Sequence, residues 1–354
     1  TIISYGGEFF FNTRCTKLII EKGTVVGIAA INTRSTEAPE QIFTGKAVIL
    51  ASGHSAVDTY HMIAQACSEA DIPVSRALLA KPFSMGVRVE HPRVLIDDIQ
   101  YHGIGRDKIF PAAEYRLSTK IDNRSVYSFS MCPGGMVVST ATAPGQIVVN
   151  GMAPFSRNET WSNSAIVVEI KPEDIPAKYG MDCLAGLRFR TYLEEEAHKQ
   201  SIDAQNAYIT SQNKVPGVFS SYKIFQTQRA PAQRLTDYLA GKASHSLPES
   251  SYPPGLVLSR IDEWFPSFFN TRLKKAFQIF DKSMRGFVCD KALLIAPETR
   301  TSTPVRIQRD KKFFESTAIK GLYPVGEGSG YSGGIVSSAM DGERIAQAII
   351  EKFK

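Results

Sequence analysis

The chain has 354 residues, with 41 lysines and arginines against 35 aspartates and glutamates, so its formal net charge is +6. Hydrophobic residues make up 43 % and charged residues 21 %, a composition that excludes disordered and collagen-like proteins. The length predicts two domains, or one large domain with an insertion. No run of five basic residues occurs, so the charge indicates neither nucleic acid nor a membrane surface as a partner.

The cysteines and histidines predict neither disulfide bonds nor a metal site. Five cysteines are widely spaced and form no C-x-x-C pair, which argues against a disulfide framework and a zinc ribbon. A reduced, cytoplasmic protein is therefore expected. The histidines show no paired metal-ligand spacing, so no metal site is predicted. No stretch approaches 18 apolar residues, so no membrane-spanning helix is predicted.

The first part of the chain alternates short strands with turns. β-branched and aromatic residues predict strands over residues 8–11, 17–20, 25–31 and 46–51. A polar loop is predicted over residues 32–40. The strand at 46–51 is apolar on both faces, which predicts a central position in a covered parallel sheet. Ser55 and Asp58 predict a capping box at the start of the next helix.

The middle of the chain changes character twice. Residues 82–170 are strand-like, whereas residues 176–290 read as helical. The helical runs are predicted over residues 186–200, 231–243 and 256–282. Short strands return from residue 291, and a helix is predicted over 334–353. The chain is therefore predicted to be α/β at both ends, with a large insertion between them.

The strongest local feature is a glycine-rich turn between an apolar strand and the last helix. Five of the nine residues 326–334 are glycines. Glycine permits positive φ and close approach to a ligand, and a helix N-terminus favours an anion. Residues 328–333 match G-x-G-x-x-G, but no strand follows the helix, so this is not the dinucleotide fingerprint. The turn is predicted to contact a ligand, with a packing corner as the alternative.

Several segments resemble known flavoproteins. Residues 47–54 resemble the strand ending in Ala-Thr-Gly of two-dinucleotide-fold flavoproteins, with Ser52 in place of Thr. Residues 321–335, with Asp341 and Gly342, resemble their second FAD-contacting motif. Longer motifs resemble a bacterial family of uncharacterised FAD-dependent dehydrogenases. They cover residues 86–92, 130–135, 150–152, 163–165 and 296–306.

The resemblance implies a fold and a division into domains. It implies an α/β fold with an α+β insertion: an incomplete FAD/NAD(P)-binding Rossmann-like domain, formed by residues 1–80 and 291–354. An inserted substrate domain, residues 81–290, splits it. Flavoproteins of this class begin with a strand, a G-x-G-x-x-G turn and a helix, and none is found before residue 46. The resemblance therefore implies the C-terminal part of a longer flavoprotein.

The resemblance also implies which residues contact FAD. Three residues would approach the adenosine and pyrophosphate: Ala51, Ser52 and Gly53. Six would lie by the pyrophosphate and the pyrimidine edge of the flavin: Gly326, Glu327, Gly330, Gly333, Gly334 and Ile335. The N-terminus of the last helix would then face the flavin, where its partial positive charge would raise the reduction potential.

Three further residues are candidates with two interpretations each. Cys132 lies in a Pro/Gly turn and is either a redox-active thiol or a small buried apolar residue. Arg300 either faces the flavin or an anionic substrate, or satisfies loop carbonyls. His54 either hydrogen-bonds a cofactor phosphate or caps a helix at the surface.

The leading hypothesis is an FAD-dependent oxidoreductase that moves hydride between the flavin and an organic substrate or NAD(P)H. Two alternatives are a flavoprotein that acts on RNA, which the +6 charge slightly favours, and a non-catalytic binding module. Neither the substrate nor the oligomeric state is predicted.

Overall fold

The computed structural model describes residues 1–35, 39–104, 110–211 and 227–354. It is a mixed α/β structure that divides into two compact units. Unit 1 comprises Thr1–Lys81, Gly180–Leu187 and Ser302–Lys354, and unit 2 comprises Pro82–Tyr179 and Arg188–Thr301. Residues 36–38 of the predicted polar loop and residues 212–226 of the predicted helical region lie outside the described residues.

The described elements are short strands and helices of very different lengths. The strands are β1 (Thr13–Glu21), β2 (Thr24–Asn32), β3 (Gln41–Thr44), β4 (Val48–Leu50), β5 (Leu78–Ala80), β6 (Phe83–Pro92), β7 (Ser118–Ile121), β8 (Arg124–Ser139), β9 (Val149–Met152), β10 (Trp161–Ile170), β11 (Ala230–Arg234), β12 (Leu256–Leu258), β13 (Leu293–Glu298), β14 (Val305–Ile307) and β15 (Leu322–Pro324). The helices are α1 (Val57–Glu69), α2 (Val74–Ala77), α3 (Arg93–Gln100), α4 (Ala185–Ser211), α5 (Leu235–Ala240), α6 (Ile261–Trp264), α7 (Ser267–Ser283) and α8 (Ile335–Phe353). Single 3₁₀ turns cover Ile3–Tyr5, Pro172–Asp174, Ala177–Tyr179 and Glu327–Ser329.

Unit 1 contains three small sheets. β1, β2 and β3 form an antiparallel meander, and β14 pairs with β5 in an antiparallel ladder. β15 pairs with β4 in parallel, with Tyr323 opposite Ile49. Helix α1 packs Tyr60, Ile63 and Cys67 into an apolar core, because these residues recur at helical spacing on one face.

Unit 2 is built on one eight-stranded sheet. Its strand order is β12-β11-β13-β6-β10-β8-β7, with β9 paired to β8. Only β11 and β12 among the described strands of this sheet pair in parallel. β6 and β10 pair over ten residues each, from Phe83–Ile170 to Pro92–Trp161. Both strands are almost wholly buried, and α7 contributes Phe269, Phe277 and Phe280 to the same core.

Three local predictions are wrong. Residues 8–11 form no strand, and Phe9, Phe10 and Phe11 are exposed, because β-propensity without a partner strand builds no ladder. The run at 231–243 begins with strand β11, and the run at 256–282 begins with strand β12, because pairing within the sheet overrides helical periodicity.

The predicted capping box is also absent. Helix α1 begins at Val57 with Ala56 as N-cap and no side-chain cap hydrogen bond. Ser55 lies one residue too early, and its backbone carbonyl accepts the Val57 N–H at 3.0 Å. The helix start was predicted within two residues, but its cap was not.

Strand β4 differs from its prediction in burial. The parallel pairing with β15 agrees with the predicted parallel sheet, but Ile49 is exposed and its neighbours are half-buried. The predicted Rossmann-like arrangement and its three functional domains stay predictions, and residues 291–301 lie in unit 2. The helices that the structure describes include none with the length and apolarity needed to cross a bilayer.

Candidate functional site

The parallel pair β4–β15 brings the two predicted FAD-contacting segments of unit 1 together. Both strands end at the same edge, since parallel strands share a direction. The Val325 N–H donates to the Leu50 carbonyl at 3.0 Å, one residue beyond the ladder. The turn after β4 and the glycine-rich turn after β15 therefore leave the sheet side by side.

The two turns touch at a pair of glycines. A Cβ on Gly328 would lie 2.6 Å from the Gly53 carbonyl oxygen, so no side chain fits there. Gly53 itself has φ 74°, a left-handed conformation that glycine adopts without strain. The buried Tyr60 hydroxyl of α1 donates to the Gly328 carbonyl at 2.9 Å and lies 2.9 Å from Thr303 Oγ1. Helix α1 thus helps to hold the Gly328 backbone against Gly53.

Glu327, the residue before Gly328, lies among ionisable side chains. His54 Nδ1 lies 3.2 Å from Glu327 Oε1, and both side chains are largely buried. Lys81 Nζ donates to the Thr303 carbonyl at 3.0 Å. Burial lowers the pKa of Lys81, and repulsion from Arg306 adds to this, while Glu327 opposes it. His54 therefore pairs with Glu327, an interaction that neither interpretation of the sequence predicted.

A buried ion pair holds the glycine-rich turn against α8. Arg309 donates to both carboxylate oxygens of Asp341 at 2.8 and 2.7 Å, and also to the Pro324 carbonyl at 2.7 Å. The Gly326 N–H donates to Asp341 Oδ2 at 2.8 Å. Burial raises the pKa of Asp341, but the hydrogen bonds from Arg309 and Gly326 outweigh it and leave that pKa below its usual value.

The ring of Tyr331 completes this arrangement. The Arg309 guanidinium lies 4.2 Å from the Tyr331 ring centroid, and that of Arg306 lies 4.9 Å from it. Two cations thus face one ring in the second half of the glycine-rich turn. Arg309, Tyr331 and Lys81 were not predicted as site residues. Asp341 was quoted only as part of a motif, and no spacing rule links it to Arg309.

The start of helix α8 is open. The N-cap Gly334 has an extended backbone, and neither Gly333 nor Gly334 would bring an added Cβ within 4 Å of another atom. Ile335, the first helical residue, is 90 % exposed. The first backbone N–H groups of a helix have no acceptor within the helix, and they carry partial positive charge. This end of unit 1 fits a phosphate or the electron-rich edge of a flavin.

The residues predicted to contact FAD therefore occupy one region of unit 1. They lie in the turn after β4 and in the turn between β15 and α8: Ala51, Ser52, Gly53, Gly326, Glu327, Gly330, Gly333, Gly334 and Ile335. Close glycine contacts, an open helix N-terminus and one carboxylate are a donor and acceptor set that fits FAD. Contact with FAD itself stays a prediction for each of these residues.

Arg300 lies in unit 2 and is held by a carboxylate. It donates to Glu194 of α4 at 3.1 and 2.9 Å, and to Thr142 Oγ1 at 2.6 Å. It also donates to Gln146 Oε1 at 3.2 Å. The acceptors named here are side-chain oxygens, whereas one interpretation of the sequence considered loop carbonyls. Its role toward a substrate stays a prediction.

Cys132 lies in a second buried cluster of unit 2, centred on Arg88. Cys132 Sγ is 3.4 Å from the Ser130 carbonyl and 3.9 Å from Arg88 Nη2. Arg88, from β6, donates to Asn163 Oδ1 at 2.9 Å and to the Ser130 carbonyl at 2.7 Å. The thiol is a free cysteine, and it is buried. Its proposed redox role is not tested by this geometry.

Glu298 provides the counter-charge to Arg88. Arg88 Nη1 lies 3.1 Å from Glu298 Oε2, and both side chains are buried. Burial raises the pKa of Glu298 to about 7, because desolvation outweighs the attraction of Arg88. Gly151 lies against the same guanidinium and leaves no room for a Cβ.

All five longer motifs named from the sequence contribute to this one cluster. They supply Arg88, Ser130 with Cys132, Gly151, Asn163 and Glu298. The motifs were recognised, but Arg88 and Glu298 were not singled out. The motifs contain both residues, but nothing in the motifs shows that these two side chains pair across strands.

Comparisons with known proteins agree with this assignment of motifs. The family model "FAD-dependent protein, C-terminal domain-like" matches residues 82–216 and 219–301, and unit 2 begins and ends at the same two outer limits. An uncharacterized protein of Clostridium beijerinckii is 36 % identical over 352 residues, which is 98 % of this chain and 58 % of that protein. A crystal structure of pyridoxine 4-oxidase from Mesorbium loti is 11 % identical and has a TM-score of 0.32, with 97 % of this chain and 57 % of that one covered. A score that low establishes no detailed correspondence. The chain belongs to the family of FAD-dependent proteins defined by this C-terminal domain.

Proposed function

We propose that this chain is part of an FAD-dependent oxidoreductase that transfers hydride between the flavin and an organic substrate or NAD(P)H. Membership of the FAD-dependent family supports the use of FAD. The observation that carries the proposal is the contact of Gly53 with Gly328 beside the open N-terminus of α8. The chain spans 58 % of the length of its curated relative, so the activity of a whole protein is part of the proposal.

The proposed arrangement assigns FAD to unit 1. Residues 1–80 and 291–354 would form parts of a Rossmann-like FAD-binding domain, split by a substrate domain at 81–290. Ala51, Ser52 and Gly53 would lie along the adenosine and pyrophosphate. The turn that begins at Gly326 would lie along the remainder, with the α8 N-terminus toward the flavin. A bound flavin supplies the redox chemistry, and the helix end would favour negative charge there.

The residues of this chain would act by binding and orientation. Glu327 offers carboxylate oxygens that accept hydrogen bonds from hydroxyl groups, and its Oε1 lies 3.2 Å from His54 Nδ1. The Arg309–Asp341 pair would fix the Gly326 N–H and so the direction of the turn. Cys132 as a redox thiol and Arg300 as an anion contact remain our proposals from the sequence.

A cofactor titration with one glycine variant tests the location of the site. In Gly333→Ala the new methyl meets no protein atom, so folding is unaffected, but it enters the space where FAD would approach. We expect FAD affinity to fall about tenfold, equivalent to 1.4 kcal/mol, as measured by flavin fluorescence during titration of FAD-stripped protein.

A matched variant controls for the general effect of the substitution. Gly45→Ala adds a methyl between β3 and β4, outside the predicted FAD-contacting segments, where the nearest neighbour, the Ala47 carbonyl oxygen, is 3.5 Å away. We expect this variant to bind FAD as the unchanged protein does. Equal affinity in all three proteins would place FAD elsewhere.

The two alternative functions predict different results. A non-catalytic module would show no reduction of bound flavin by any electron donor. A flavoprotein acting on RNA would bind RNA in a salt-sensitive manner. Both remain alternatives to be separated by those assays.

A further inference from the structure

A cleft of about 660 Å³ in unit 2 has none of the residues assigned above among its lining residues. It is formed by the ends of helices α3 and α7 and by the extended segment that precedes β7. Its volume falls within the range of about 300–1,000 Å³ that is usual for small-molecule sites. Its wall contains both basic side chains and apolar ones.

The basic side chains of the cleft outnumber its acids. Arg116, Lys282 and Arg285 line it and are exposed, with Asp98 as the one carboxylate among the lining residues that the structure describes. Among the residues that the structure describes, the side chains of these three cations have no hydrogen-bond or ion-pair partner. Arg157, an exposed cation of unit 2 outside the cleft, is by contrast paired with Glu114. The lining residues that the structure describes therefore carry two formal positive charges in excess.

The floor of the cleft is apolar. Leu117 and Met284 are buried, and Ile99 is partly buried beside them. The Tyr115 ring belongs to the same wall, and its hydroxyl lies 2.8 Å from Ser164 Oγ. The phenol is therefore already hydrogen-bonded, and its ring contributes apolar surface. A ligand that fits this wall has an apolar body as well as charge.

The end of helix α7 does not explain the whole cluster. Cations near a helix C-terminus are stabilised by the helix dipole, which accounts for Lys282 in the last turn and for Arg285 just beyond it. Arg116 lies in the extended segment before β7 and gains nothing from that dipole. Three like charges around one cleft repel each other unless an anion lies between them.

We propose that this cleft binds a small organic anion with two negative charges and an apolar body. The charge excess of the rim matches a dianion, and the floor of Leu117 and Met284 matches the apolar part. A phosphate monoester and a dicarboxylate share this chemistry. All its lining residues lie in unit 2, whereas the residues proposed to contact FAD lie in unit 1.

Calorimetric titration with three simple probes tests the proposal. Phenyl phosphate carries the dianion and the ring, inorganic phosphate lacks the ring, and phenol lacks the charge. We expect phenyl phosphate to bind with a Kd below about 1 mM, and the other two to bind more weakly. Phthalate, titrated in the same way, distinguishes a dicarboxylate from a phosphate ester as the preferred source of charge. Added salt weakens binding, because the contacts are electrostatic.

Variants locate the binding to the cleft. We expect the double variant Arg116→Gln/Arg285→Gln to lose about tenfold or more in phenyl phosphate affinity, because hydrogen bonds to charged groups each contribute substantially. Lys242→Gln removes an exposed lysine of unit 2 outside the cleft and leaves affinity unchanged. Asp98→Asn removes the opposing carboxylate and tightens binding, a gain that misfolding cannot produce.

Three results would overturn the proposal. One is no binding of phenyl phosphate or phthalate up to millimolar concentration. Another is binding that the double variant and Asp98→Asn leave unchanged. The third is binding of an RNA oligonucleotide that is far tighter than that of phenyl phosphate and that the double variant abolishes. This result would make the cleft part of a nucleic-acid surface.

Discussion

Gly328 and Gly333 lie in the same turn but have different surroundings. A Cβ on Gly328 would meet the carbonyl oxygen, carbonyl carbon and Cα of Gly53 at 2.6–3.0 Å, and these backbone atoms cannot rotate away. A Cβ on Gly333 would meet nothing within 4 Å. The first glycine is therefore required by the fold, whereas packing does not require the second. The sequence pattern alone does not distinguish them.

The substitution Gly328→Ala tests the steric requirement. We expect it to lower the free energy of unfolding by about 1–3 kcal/mol, the usual cost of forcing extra atoms into a packed site. Urea unfolding followed by circular dichroism measures the change. Gly333→Ala, analysed in parallel, should unfold as the unchanged protein does, and an equal loss in both variants would contradict the glycine contact.

At the scale of elements, the Arg309–Asp341 pair joins β15, the glycine-rich turn and α8. Asp341 lies on α8 and accepts from the Gly326 N–H, and Arg309 follows β14 and donates to the Pro324 carbonyl. Arg309 and Asp341 are both buried. Loss of one partner leaves the other charge buried without compensation.

We expect Asp341→Asn to lower the free energy of unfolding by about 3 kcal/mol at neutral pH, since Arg309 loses its counter-charge. The native-state pKa of Asp341 is lowered, so its contribution is present above the ordinary carboxyl value of 3.8 and is lost as the pH falls through the native-state pKa. The difference from the unchanged protein should therefore shrink below pH 3.8.

A neighbouring residue on α8 supplies the control. Glu343 is exposed, so Glu343→Gln should leave the free energy of unfolding unchanged both at neutral pH and in acid. A difference between Asp341→Asn and the unchanged protein that persists undiminished in strong acid would argue against an ionised Asp341 as the source of the stabilisation.

The elements show where sequence patterns predict structure and where they do not. The strands at 17–20 and 25–31 lie within β1 and β2, and the last helix begins one residue after its predicted start. Their periodicity matches the burial that the fold imposes. Residues 232–234 were predicted helical but pair with β13, because a partner distant in sequence supplies their backbone hydrogen bonds.

At the scale of the whole molecule, the sequence motifs identified segments that come together in the fold, but not which of their residues pair. The motifs at 86–92, 130–135 and 163–165 lie on β6, β8 and β10, three neighbouring strands of unit 2. Their meeting at Arg88 depends on the register of those strands, with Ala165 opposite Arg88 and Asn163 opposite Cys132. Register is a property of long-range pairing, so no local pattern could predict the Arg88–Glu298 pair.

The residues of unit 1 that are predicted to contact FAD were selected from two glycine-containing segments of the sequence. The two segments that supply them lie at the ends of β4 and β15, and glycine at such positions has few structural explanations. Arg309 and Lys81 were missed because an arginine or lysine in a loop has many. The cleft in unit 2 was missed as well, since Arg116 and Arg285 are 169 positions apart in the sequence.

The visible absorption spectrum of the protein in which this chain occurs, purified as the cell makes it, tests the central claim most directly. The measurement is made without oxygen, before and after addition of NADH, NADPH or dithionite. We predict the absorption bands of bound oxidised flavin, released as FAD on denaturation and bleached on reduction. A colourless protein that takes up no FAD when the cofactor is added in excess would contradict the account.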